Sequence, residues 1–376
     1  MTSKLILISA IVLSSVTAQA APASPATTTN SNAYVAADSQ SVLERQAANG
    51  DVDAQIRLAA LLERGSEQDL TRAAAFYLAA GKSGSAAART SYVSLVISHP
   101  SMKDADYKTA FGWLEPVAQT GDATAENNLG EMYLTGQGVR ASCYQALSWF
   151  EKAAKQGVPA AEFNLANMYA NGRGVDEIDN VKAFAWYKKA ADQGFAPAQN
   201  ELGNAYLDGA GVTADNTIAI AWYRKAADQG FAAAENNMGV MYSQGKGVVA
   251  DATEAARWYR MAAANGSLAA QNSLGVLFAS GRGVEQDIPQ AEKLFRAAAD
   301  HGYPTAQMNL GMMYIKGIGV QQDYAKGYFW LMLAKAFGEN VSRDTLEALE
   351  ARLDSGTRAQ TETEWQSWFK AHYRVL

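Results

Sequence analysis

The sequence predicts an all-α fold: a solenoid of about eight helix-turn-helix repeats of 36 residues, closed by C-terminal capping helices. Three observations carry that reading. The stretch "YLTGQGV", Tyr133 to Val139, returns as "YANGRGV" at Tyr169, "YLDGAGV" at Tyr206, "YSQGKGV" at Tyr242, "FASGRGV" at Phe278 and "YIKGIGV" at Tyr314, spaced by 36 residues with one step of 37. A large side chain recurs at the same period, at Phe76, Trp113, Trp149, Trp186, Trp222, Trp258, Leu294 and Trp330. An aspartate does so too, at Asp179, Asp215, Asp251, Asp287 and Asp323. One Gly-x-Gly after an apolar run would raise the question of a dinucleotide-binding loop. Six at a constant period are architecture, because such self-similarity marks stacked supersecondary units.

The first segment, "MTSKLILISAIVLSSVTAQA", has one basic residue, an apolar core from Leu5 to Val16 and a small-x-small ending at Ala18-Gln19-Ala20. That is the form of a secretory signal peptide, with cleavage expected after Ala20, and its apolar core is short for a bilayer span. Residues 21–38, opening "APASPATTTNSNA", are rich in Pro, Thr and Ser without periodicity and read as a flexible linker. Residues 39–120 are expected to hold two degenerate helical repeats, in which "LLERGSEQDL" and "VISHPSMKDAD" stand where the Gly-x-Gly turn would be. Residues 121–338 hold six regular repeats.

Within one of these, Val158 to Gly194, the first helix places Ala161, Leu165, Met168 and Tyr169 on one stripe. Gly172 is the natural stop, since glycine tolerates the left-handed conformation after a helix end. The second helix starts at Asp179 and is expected to turn Ala183, Trp186 and Ala190 inward. The periodic aspartates are N-caps, whose carboxylates accept free backbone amides of the first turn. Ser142 fills the slot in the earliest regular repeat, and Asp251 with Glu254 and Asp287 with Gln290 have the spacing of capping boxes. Residues 339–376 carry two further amphipathic helices, one with Leu346, Leu349 and Leu353, the other with Trp365, Trp368, Phe369 and Tyr373. They are expected to cover the last open face of the array.

Charge and chemistry narrow the function. The net charge of −6 is mild and evenly spread, which argues against a nucleic-acid partner. No later stretch is apolar enough to suggest membrane insertion after signal cleavage. The single cysteine, Cys143, rules out an internal disulfide and a lipid-modified cysteine at the cleavage point. His99, His301 and His372 are scattered, and no His/Cys cluster has metal-ligand spacing. Ser243-Lys246 and Ser367-Lys370 match Ser-x-x-Lys, but the companion elements of penicillin-recognising enzymes are missing. No catalytic residues, metal or cofactor are expected.

The pattern A-x-x-N-L-G-x-M-Y-x-x-G-x-G-V, followed by D-x-x-x-A-x-x-W-Y-x-K-A-A-x-x-G, resembles the Sel-like repeat, a relative of the tetratricopeptide repeat. "AENNLGEMYLTGQGV" and "QALSWFEKAAKQG" match it almost position by position, and the resemblance covers residues 121–338 strongly and 39–120 weakly. It implies a right-handed α/α superhelix around a concave groove lined by the first helices, acting as an adaptor for protein or peptide partners. In bacteria it implies roles in envelope signalling, exopolysaccharide control, flagellar motor assembly or host-cell interaction, in the periplasm or secreted. A Cys-rich subgroup discussed as β-lactam-binding is not matched, because this chain has one cysteine. Alternative readings are a cell-wall-active or β-lactam-binding enzyme and a periplasmic regulator that represses a sensor protein.

If the repeats stack as that family does, the residues two before and two after the central Leu or Met of each first helix face the groove. These are Asn127/Glu131, Phe163/Asn167, Asn200/Asn204, Asn236/Val240, Asn272/Val276 and Met308/Met312, each pair four apart on one helix face. The amide of Asn both donates and accepts, which suits an extended peptide. The ladder is polar at its N-terminal end and apolar from Val240 to Met312. The competing expectation is that these asparagines bond the neighbouring repeat and space the helices.

Overall fold

The computed structural model describes residues 41–99 and 102–372. The signal peptide expected at 1–20, the linker expected at 21–38 and Tyr373 lie outside the described residues. Among those described, every regular element is a helix. The chain divides into two compact units at Ala190. The first contains α1 (41–48), α2 (Val52–Leu62), α3 (Glu67–Lys82), α4 (Ala86–Ser98), α5 (Asp104–Gln119), α6 (Ala123–Thr135), α7 (Cys143–Lys155) and α8 (Pro159–Asn171). Helix α9 (Asn180–Asp192) runs through the division. The second holds α10 (Ala196–Asp208), α11 (Asn216–Ala227), α12 (Ala232–Gln244), α13 (Ala252–Ala264), α14 (Leu268–Ser280), α15 (Ile288–Asp300), α16 (Pro304–Lys316), α17 (Tyr324–Ala336), α18 (Arg343–Glu350) and α19 (Ser355–His372).

From α2 to α17 the even-numbered helices are the first, or A, helices of the repeats and the odd-numbered ones the second, or B, helices. From α4 on, each A helix buries a stripe at i, i+4 and i+7: Ala161, Leu165 and Met168 in α8, Ala234, Met238 and Met241 in α12. In α6, α10, α12 and α14 a glycine between the last two positions receives a ring from the B helix. A Cβ on Gly130, Gly203, Gly239 or Gly275 would lie 2.5–2.7 Å from a ring atom of Phe150, Tyr223, Tyr259 or Phe295 respectively. The notch lets the two helices approach closely, and the ring replaces the packing that a methyl group would give.

That ring corrects one expectation. The periodic tryptophan was expected to point inward, yet Tyr187 is 7 % exposed while Trp186 is only half buried. Successive helix residues are about 100° apart, so only one of the two can enter the notch. The tryptophan lies at the border instead, under a lysine three residues on. The Nζ atoms of Lys152, Lys189 and Lys225 stand 3.6–3.8 Å from the ring centroids of Trp149, Trp186 and Trp222. Of this tryptophan series, Trp258 and Trp330 are buried.

The Gly-x-Gly turn resolves into two jobs. The first glycine ends the A helix in the left-handed conformation, as at Gly172 (φ 65°), whose N–H donates to the Met168 carbonyl. The second packs against the preceding repeat. A Cβ on Gly283 (φ 69°) would lie 2.2 Å from the Ala252 carbonyl carbon at the start of α13. The turn's geometry thus spaces the repeats.

Ser142 and the five aspartates cap the B helices as expected; Asp251 Oδ1 accepts from the amides of Thr253 and Glu254 at 2.9 and 3.1 Å. The expected capping boxes at Asp251 and Asp287 do not form. The N–H of each cap residue, from Ser142 to Asp323, already donates to the carbonyl of the aromatic residue opening its Gly-x-Gly stretch, at 2.8–3.0 Å. Glu254 pairs with Arg257 instead.

The tail packs against α17. Leu346 and Leu349 of α18 are buried with Tyr328 and Leu331 of α17. Trp368 and Phe369 of α19 set their rings against Phe337, with centroids 6.2 and 5.1 Å away. The Tyr328 hydroxyl donates to Glu350, and burial together with that acceptor pushes its phenol up to about 12.

Candidate partner-binding face

The face of interest is the side of each A helix that carries the predicted ladder. Most of the ladder is half buried, and its asparagines other than Asn236 are hydrogen-bonded to protein side chains. Asn127, Asn200 and Asn272 are buried. Each accepts from the asparagine 37 residues on: Asn164 Nδ2 to Asn127 Oδ1 at 3.1 Å, Asn237 to Asn200 at 2.9 Å, Asn309 to Asn272 at 2.8 Å. These bonds tie α6 to α8, α10 to α12 and α14 to α16, the kind of bond to a neighbouring repeat that the competing expectation describes. The remaining asparagine of this register, Asn236, breaks the run because Ser273 stands where the donor amide would be, and its Oδ1 is buried without a partner.

The second register has a different use. Asn167 Oδ1 accepts from the Tyr187 hydroxyl and Asn204 Oδ1 from the Tyr223 hydroxyl, both at 2.6 Å. An asparagine there goes with a tyrosine in the notch. Where the notch ring is Phe150 or Phe295, which have no hydroxyl to satisfy, the register holds Glu131 or Val276. Tyr259 has no such acceptor, since Val240 faces it, and its hydroxyl bonds Ser243 and Ser273. Burial raises the phenols of Tyr223 and Tyr259 above the ordinary range.

Two carboxylates join the network. Glu131 Oε1 accepts from Asn127 Nδ2 and Asn164 Nδ2, each at 3.1 Å. Burial pushes its carboxyl above the usual range, against the pull of those two amides. Glu201 accepts from Asn200 at 3.1 Å through Oε1 and from Asn204 at 3.0 Å through Oε2. The apolar end is the most open part: Val276 is 43 % exposed, while Val240, Met308 and Met312 are half buried. Phe163 packs its ring on Tyr187, with centroids 5.8 Å apart.

Sequence reasoning placed one asparagine column on this face and missed the second, one residue before the central Leu or Met, at Asn128, Asn164, Asn237 and Asn309 with Glu201 among them. The signal was present in "NNLG", "FNLA", "NNMG" and "MNLG", where that Asn returns at the repeat period. The residues weighed for chemistry are dispersed. His99, His301 and His372 each set Nδ1 2.8 Å from the carbonyl four residues earlier at a helix end. Among the described residues, no group of His, Cys, Asp and Glu is arranged to hold a metal ion. No described helix is long and apolar enough to cross a membrane.

Paired helices with a glycine notch, a two-glycine spacer turn and amide bonds from repeat to repeat define an α/α repeat scaffold. The Sel1 repeat model matches residues 52–85, 123–158, 159–195, 196–231, 232–267, 268–303 and 304–336, well over half of the chain. The protein belongs to the Sel1 repeat family, whose members are typically non-enzymatic scaffolds for protein–protein interaction. A Sel1 repeat protein from Oxalobacter formigenes is similar, with a TM-score of 0.60 and 30 % identity over 68 % of this chain and 98 % of that one. A protective antigen of uropathogenic Escherichia coli with an SLR fold shares 25 % identity over 88 % of this chain and 94 % of that one, with a TM-score of 0.44. An immunity protein of Pseudomonas aeruginosa shares 20 % identity over 57 % and 81 %, with a TM-score of 0.40. None of the curated proteins matches.

Proposed function

We propose that this protein is an exported scaffold that binds a polypeptide segment along its A-helix face, in bacterial envelope signalling, assembly or host interaction. The observation that carries the reading is the open apolar end of the ladder. Val276, Met308 and Met312 lie at the groove registers of two successive A helices in the second unit, and each keeps solvent contact. Apolar side chains retained on an accessible face gain by burial against a partner, and methionine adapts to irregular surfaces. Export rests on the form of residues 1–20 and on nothing else.

The test is retention of envelope proteins by the full chain and by a Val276→Lys/Met308→Lys variant whose helicity is checked by circular dichroism. Partners retained by the wild type and lost by the variant support the face. Equal retention moves binding elsewhere. Sequencing the N-terminus of the protein recovered from cells tests export, with Ala21 as the expected first residue.

A further inference from the structure

On the A-helix face neutral amides are the rule, and a carboxylate interrupts them in each unit. Glu131 occupies the register held by Asn167 in α8 and Asn204 in α10. Glu201 occupies the register held by Asn128, Asn164, Asn237 and Asn309. A glutamine or asparagine would accept the same amide hydrogens at either place without bringing a charge out of water. Burying a charge with no opposite charge beside it is costly, and the cost is avoided by neutral residues of similar size. That the chain carries glutamate at both places therefore needs a reason beyond spacing the helices.

The surroundings hold the carboxylates without neutralising them. Glu131 is 8 % exposed, and both of its amide donors, Asn127 and Asn164, reach Oε1 at 3.1 Å. Its second oxygen, Oε2, has no partner among the described residues. Glu201 is half buried, with one asparagine amide on each oxygen. The network behind it is itself fixed, since Asn237 donates to Asn200 and Tyr223 to Asn204. Among the described residues no lysine, arginine or histidine pairs with either glutamate, although surface ion pairs are plentiful elsewhere on both units. Each site is an oriented carboxyl group with no cation beside it among the described residues.

We propose that Glu131 in the first unit and Glu201 in the second each anchor a basic side chain, arginine or lysine, of a segment that binds the A-helix face of its own unit. The inference rests on the preceding reading that a polypeptide lies there and names its chemistry. The chain's net charge of −6 favours such a partner. Arginine suits Glu131 best, because a planar guanidinium can donate to the free oxygen while the asparagine bonds to the other stay in place. A neutral segment would leave both carboxylates without countercharge and gain nothing from them.

The experiment uses the full chain, immobilised, and two matched libraries of short peptides. One carries arginine and lysine at fixed positions; the other carries citrulline and glutamine there. Wild type and a Glu131→Gln/Glu201→Gln variant are compared at physiological salt, where weak surface attraction is screened. Wild type should retain the basic library at least about tenfold better, the scale of one well-placed charge pair, and the double variant should lose that preference. Equal retention of both libraries by wild type overturns the basic anchor and leaves segment binding intact. An undiminished preference in the double variant also overturns it, by moving the acidic site elsewhere. Retention of neither library brings down the segment-binding reading and this inference with it.

Discussion

At the level of single residues, the A-helix face shows asparagine serving two purposes in two registers. Asn127, Asn200 and Asn272 are committed to the next repeat, while Asn167 and Asn204 satisfy a tyrosine in the glycine notch. The sequence displayed the asparagines and their period; it did not display their partners, which stand 19 to 37 residues away. Glu131 is the member with a cost. The folded chain keeps it protonated to higher pH than the unfolded chain does, because burial outweighs its two amide donors. Its contribution to stability is therefore full below the ordinary glutamate range and is lost as pH rises through the raised folded value. Glu131→Gln keeps the acceptor and removes that loss. The variant should be more stable than wild type near neutral pH by on the order of 1 kcal/mol, with the gap closing at about pH 4. Urea unfolding at the two pH values checks this, and no gap at neutral pH would show that the amides compensate the charge fully. A stability gain together with a loss of basic-peptide preference is the pattern expected of a residue kept for function.

At the level of the helix pair, the contact between A and B helices depends on the absence of one methyl group. In a free helix, replacing glycine by alanine gains about 1 kcal/mol. At Gly203 the new Cβ would lie 2.6 Å from Tyr223, a ring packed on all sides and tethered through its hydroxyl to Asn204. Gly203→Ala is expected to cost about 1–3 kcal/mol in spite of its helix propensity, the usual scale of overpacking. Thermal unfolding decides between the two effects, since propensity and packing have opposite signs. The tolerated exception is already in the chain: Ala166 takes the notch position opposite Tyr187. Capping shows the same dependence on neighbours. Asp251 and Glu254 have capping-box spacing, but the Asp251 N–H is taken by Tyr242 of the preceding helix. Local sequence rules govern a helix end only when no tertiary partner competes for the same hydrogen.

For the whole molecule, stability is a sum of local terms, because helices in a repeat array touch mainly their neighbours in sequence. The tail is one such term. Trp368 packs beside Phe337, and Trp365, Trp368 and Phe369 cover the core around Leu310, Trp330 and Leu333. Trp368→Ala should cost about 3–5 kcal/mol at this end, the range for removing a large aromatic from a core, less whatever its partial exposure already forgoes. Hydrogen exchange should speed up in α16, α17 and α19 and stay unchanged in α6 and α7. Acceleration spread evenly over both units would mean that the array unfolds as one cooperative body and that nearest-neighbour additivity fails.

The sequence by itself determined the period, the pairing of helices, their caps and stops, and hence the family, because each of these is written within one 36-residue window as backbone preference or apolar spacing. It marked each repeat with a tryptophan but could not say that the adjacent Tyr187 or Tyr223 enters the notch, since the two positions differ only by a turn of about 100°. It showed an asparagine ladder but not that the amides close on one another across repeats. Nor could it distinguish a glutamate on a wet surface from Glu131, largely buried and held by amides from two helices. Those outcomes belong to tertiary structure for one physical reason. A polar side chain takes its partner, its protonation and its cost from what the neighbouring repeat places within hydrogen-bond reach, and that distance is fixed only when the repeats stack.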